Sequence, residues 1–114
     1  MPLLTVTTNR PRSPDERREA VRHLSRVVAE VLGKSERYVM VSLQCNPDML
    51  FAGNDAPLAL LRLNSIGLPH ERTTELSATL TDAVTGLLGV AADRVYIEFC
   101  DAERHLWGWN GGTF

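Results

Sequence analysis

The feature that most constrains this chain is a repeated pattern: strand, amphipathic helix, glycine, charged link, strand. Leu3–Thr7 (LLTVT) is a β-rich run broken by Asn9-Arg10-Pro11. Ser13-Pro14-Asp15-Glu16 then predicts a helix start, with Ser13 as N-cap, Pro14 in the first turn and Glu16 closing a capping box. Ala20, Val21, Leu24, Val27, Val28, Val31 and Leu32 follow at helical spacing and predict one buried face. Gly33 supplies the left-handed stop, and Tyr38–Leu43 (YVMVSL) reads as a strand. The second half repeats the scheme. Leu58–Ile66 is a long β run, and Leu76, Leu80, Ala83, Val84, Leu87 and Leu88 share a helix face. Gly89 stops that helix and Val95–Phe99 (VYIEF) is the closing strand. The pseudo-repeats span about residues 2–45 and 58–101.

Each unit predicts a right-handed crossover with parallel strands. Two units together predict a single α/β domain over 1–114, an α+β sandwich. Its four-stranded mixed sheet carries both helices on one face. The other face lacks a cover and bears many apolar residues, which predicts burial against other subunits. The tail from Leu106 to Phe114 is too rich in glycine for a helix and too aromatic for a free terminus. It is expected to pack on a neighbour or on a pocket wall.

Composition narrows the functional classes. A net charge of −2 with 12 basic residues offers no footprint for nucleic acid or acidic lipid. The small cluster of Arg10, Arg12, Arg17 and Arg18 reads as a solvated helix start. No apolar run is long enough for a membrane span, and the start has no secretory pattern, so a cytoplasmic location is expected. Cys45 and Cys100 form no framework or CxxC pair and are expected to be reduced and buried. His23, His70 and His105 lack metal-ligand spacing, so neither metal nor cofactor is expected.

What remains is a proline directly after the initiator methionine. Removal of Met1 would leave Pro2 with a secondary amine. An ordinary terminal amine has a pKa of about 7.7–8, and apolar surroundings or a cation such as Lys34 would lower it. That makes a general base for neutral pH. For Lys34 itself, a favourable charge at a helix C-terminus is the plainer reading.

Further elements carry a resemblance: Met1-Pro2 with Thr8-Asn9 and Pro11-Arg12, Gly33-Lys34 with Tyr38, and Ser65-Ile66-Gly67. Asp93-Arg94-Val95-Tyr96-Ile97, Gly108-Trp109-Asn110 and Thr113-Phe114 complete the series. With these in order over nearly the whole length, the sequence resembles the macrophage migration inhibitory factor family of the tautomerase superfamily. The resemblance implies a homotrimer with sites between subunits, and Pro2 as the base in keto–enol exchange of a phenylpyruvate-type α-keto acid. It implies that Lys34 and the backbone amide of Ile66 hold the substrate carboxylate. Tyr96 from a neighbouring subunit, Trp109 and Phe114 would form an aromatic wall, with Tyr38 near the rim. Two positions depart from the family pattern, Glu98 at the substrate mouth and Trp107 in place of a smaller apolar residue. Glu98 would oppose an anionic substrate unless an arginine such as Arg62 neutralises it. The alternative to an enzyme is a cytokine-like binding protein that keeps the pocket as a relic.

Overall fold

The computed structural model describes residues 1–114. Its main sheet contains β1 (Leu3–Thr8), β2 (Met40–Cys45), β3 (Ala59–Ile66) and β4 (Val95–Ala102), in the order β2-β1-β3-β4. The β1/β2 and β3/β4 pairs are parallel and the central β1/β3 pair is antiparallel. Each parallel pair is one strand–helix–strand unit, joined through α1 (Pro14–Leu32) and α2 (Thr73–Leu88). The predicted mixed sheet and both crossovers are therefore present. Neither helix is long and apolar enough to cross a membrane.

Local sequence sets the helix ends. Ser13 Oγ accepts from Glu16 N at 3.1 Å and Glu16 Oε1 accepts from Ser13 N at 3.0 Å, closing the predicted capping box. Gly33 and Gly89 take φ of +63° and +67°, the left-handed conformation that ends each helix at low cost. Leu24, Val28, Leu76, Leu80, Val84 and Leu88 turn inward and meet Leu4, Val6, Leu61 and Leu63 in one core. Each of these leucines is fully enclosed, so truncating Leu24 or Leu61 to alanine would cost about 2–5 kcal/mol.

Most of the arginine cluster is structural rather than solvated; Arg18 alone stays exposed, pairing with Asp15 in the first turns of α1. Arg12 Nη2 donates to Leu88 O at 2.5 Å and Arg10 Nε donates to the same oxygen at 3.3 Å. Conversely, Arg72 Nη2 donates to Val31 O at 2.9 Å. The segment before each helix thus supplies a cation to the final turn of the other helix, which has no basic residue of its own. Arg12→Ala should cost about 1.5–3 kcal/mol, the worth of a charged hydrogen bond to a partly buried carbonyl. A lower urea midpoint with an unchanged slope would register that loss, and an unchanged midpoint would contradict it.

Three features differ from expectation, two of them strand boundaries. Tyr38 is outside β2, because Ser35 caps a short 3₁₀ turn at Glu36–Tyr38. The last strand runs on to Ala102, since Ile66 on β3 still has Ala102 as a partner. The uncovered sheet face is also less apolar than expected. Ser42, Thr5, Arg62 and Glu98 form a polar row across it, flanked by Leu3 and Met40 on one side and Leu60 and Tyr96 on the other.

The link between β2 and β3 is held from both ends. Asn9 accepts from Leu58 N at 2.9 Å through Oδ1 and donates to Asp55 O at 2.8 Å through Nδ2. Arg94 donates to Pro57 O and Ala56 O at 3.0 Å, and to Phe51 O and Asn54 O at 3.2 Å. Its guanidinium also lies 5.2 Å from the Phe51 ring centre.

Candidate functional site

Pro2 is buried at the start of β1, where its carbonyl accepts from Met40 N at 3.0 Å. It floors a cleft of about 460 Å³ whose walls include Tyr38, Trp107, Trp109 and Phe114. The aromatic walls come from two displaced segments. The 3₁₀ turn swings Tyr38 out of the sheet. The tail forms a small hairpin, β5 (Gly108–Trp109) with β6 (Gly112–Thr113), turning through Asn110 and Gly111 at φ of +53° and +78°. Trp109 and Phe114 stack with ring centres 5.3 Å apart. Tyr38 meets them edge-on at 5.8 and 6.2 Å. The tail therefore packs as a pocket wall within its own chain.

A second cleft of about 280 Å³ shares Met1, Tyr38 and Phe114 with the first and adds Lys34, Ile66 and Arg104. Lys34 follows the Gly33 stop, yet its side chain leaves α1 and donates from Nζ to Ile66 O at 2.6 Å. It is the Ile66 carbonyl, then, that meets Lys34. The last turn of α1 is served by Arg72 instead, so Lys34 has a place in the cleft beyond a helix-end charge.

The electrostatics suit a weakly basic amine. The terminal amine, here on Met1, is held below its ordinary value by burial, then by the Lys34 ammonium, with Arg104 adding in the same direction. No group of three or more His, Cys, Asp or Glu side chains converges as a metal site.

Within one chain, Pro2, Lys34, Tyr38, Ile66, Trp107, Trp109 and Phe114 come together around these clefts. Tyr96 and Glu98 do not. Tyr96 packs on Phe51 with ring centres 4.8 Å apart and lines an apolar hollow with Leu50. Glu98 lies 3.9 Å from Arg62 Nε on the open sheet face, both side chains more than half exposed. A pair so exposed is worth at most about 1 kcal/mol, but it gives Glu98 the arginine partner that the sequence suggested. The residues that sequence reading missed are Arg37 and Arg104. Both stand in short 3₁₀ turns, and nothing in their spacing marks them.

The cysteines depart from expectation in burial. Cys45 is half-buried and Cys100 is exposed on the open face. They occupy opposite edge strands and opposite faces of the sheet, too far apart for a disulfide. Insulin reduction by this protein is accordingly expected to be nil. A rate that vanished on mutating either cysteine would contradict this.

A double strand–helix–strand sheet with an aromatic cleft at its first residues defines a class already known from solved structures. The macrophage migration inhibitory factor homologue from Prochlorococcus marinus matches with a TM-score of 0.91 at 42% identity, covering 98% of each chain. The Trichinella spiralis factor matches with a TM-score of 0.91 at 32% identity, covering 98% of this chain and 99% of that one. Among curated proteins, the Trichuris trichiura homolog of the factor is 36% identical over 115 residues, covering 100% of both. The Mus musculus factor is 33% identical over 117 residues, covering 100% of this chain and 99% of its own. The family model described as macrophage migration inhibitory factor (MIF) matches residues 1–114, and the chain belongs to that family.

Proposed function

We propose that this protein is a keto–enol tautomerase acting on α-keto acids of the phenylpyruvate type. Its general base is the Pro2 amine, freed by removal of Met1. The observation that carries this reading is the environment of the terminal amine, where burial and Lys34 favour the neutral form. Loss of Met1 moves the amine one residue along, to the buried floor of the cleft. A base with a pKa near the working pH combines availability with proton affinity. Pro2 takes a proton from the carbon beside the ketone while charge passes to oxygen. The amine then returns the proton to that oxygen, and ketonisation runs the same steps backwards. The proton stays between substrate and amine, so the reaction balances without a cofactor.

Lys34 keeps donors for the substrate carboxylate beyond the one used on Ile66. Tyr38, Trp109 and Phe114 offer a flat apolar wall to the aryl group. The test is enol–keto exchange of phenylpyruvate on protein whose mass confirms loss of Met1. A sample retaining Met1 has an amide at Pro2 and should be inactive; equal rates in the two forms would refute the reading.

A homotrimer completes the proposal. Tyr96 and Glu98 lie away from Pro2 in their own chain, so they reach a cleft only across a subunit boundary. Met40, Leu50 and Tyr96 are 66%, 69% and 65% exposed in the single chain, apolar surface that association would bury. Light scattering should report three copies per particle at micromolar concentration. A monomer there would remove the shared site.

A further inference from the structure

Three cations line the clefts around the chain start, and within one chain no acid lines either one; Glu98, which reaches a cleft only from a neighbouring subunit, brings its own partner in Arg62. Lys34 and Arg104 stand at the Ile66 end. Arg37 stands at the other, with its guanidinium 4.9 Å from the Tyr38 ring centre. Lys34 uses one donor on Ile66 O. Neither Arg37 nor Arg104 forms an ion pair; Glu103, beside Arg104 in sequence, instead lies 3.5 Å from His105 Nδ1. A single substrate carboxylate would leave positive charge at one end of the combined cleft unanswered.

We propose that the cleft selects a dianion: an aryl or extended unsaturated acid with its first carboxylate on Lys34 and Arg104 and a second acid group on Arg37. This rests on the tautomerase reading for the identity of the α-keto acid end. The shared walls, Tyr38 and Phe114, join the two clefts, so a flat ligand lying against them has Lys34 and Arg104 in the lining on one side and Arg37 in the lining on the other. A guanidinium suits the distal acid because it binds a carboxylate in a bidentate fork.

Equilibrium binding of two unreactive ligands tests this: cinnamate and its para-carboxylate, measured by calorimetry on Met-free protein. The para-carboxylate should bind about tenfold more tightly at low salt. Arg37→Ala should bring the two affinities within about threefold of each other. Arg104→Ala should weaken both ligands and leave most of the ratio. Circular dichroism checks that each variant folds. Equal affinities in wild type, or a ratio that survives Arg37→Ala, would overturn the proposal. Because binding is read without turnover, the two readings separate. Equal affinities in an active tautomerase remove only the dianion, whereas a tenfold ratio in an inactive protein removes only the chemistry.

Discussion

Pro2→Gly should lower phenylpyruvate tautomerisation by about a hundredfold, at the lower end of what a general base contributes, because glycine still presents an amine. It loses the rigid ring that fixes the lone pair. The backbone carbonyl that receives Met40 N is retained, so the fold should survive. The wild-type rate should rise with pH, because only the neutral amine accepts a proton. The rise should centre below the ordinary amine value, since burial and Lys34 hold even the Met1 amine below it, and the freed Pro2 amine lies in the same cleft. Lys34→Ala removes a neighbouring cation and should move that midpoint upward, besides raising KM. Equal rates in wild type and Pro2→Gly would take Pro2 out of the mechanism.

Arg94→Ala should cost about 3 kcal/mol, or on the order of 10 °C in Tm, and Arg94→Lys should recover less than half of that. One planar guanidinium serves the carbonyls of Phe51, Asn54, Ala56 and Pro57 at once. A lysine ammonium is a point charge that cannot span them. The same substitution should loosen Phe51, and with it the packing of Tyr96. Hydrogen exchange confined to residues 46–58 would locate the damage. Full stability in Arg94→Lys would mean that charge alone holds the link.

What the sequence revealed was mostly local. The Ser13–Glu16 box, the glycine stops and the two periodicities act over a few residues, and they placed both helices and the parallel pairs. The Ser35 cap also acts locally, but the β-rich composition of Tyr38–Leu43 masked it, and so hid the way Tyr38 leaves the sheet. The longer contacts gave no sign. Arg12 and Leu88 are separated by 76 positions, and no spacing rule connects them. Arg94 entered only as an element of the family resemblance, and Asn9 there and as part of a strand break; the structure gives both a mechanical task, holding the 46–58 link. The cleft was legible in Pro2 and Lys34, whose chemistry is unusual wherever it occurs. Arg37 and Arg104 are ordinary arginines until the turns that carry them are placed in space.

The exchange of arginines between the two helix ends bears on how such a chain could arise. Arg10 and Arg12 belong to the first repeat and complete the second; Arg72 belongs to the second and completes the first. Either half standing alone would lack the cation for the last turn of its own helix and would have to take it from a twin. The modern chain thus has the bonding pattern of a two-fold dimer fused through the 46–58 link, each half still finishing the other.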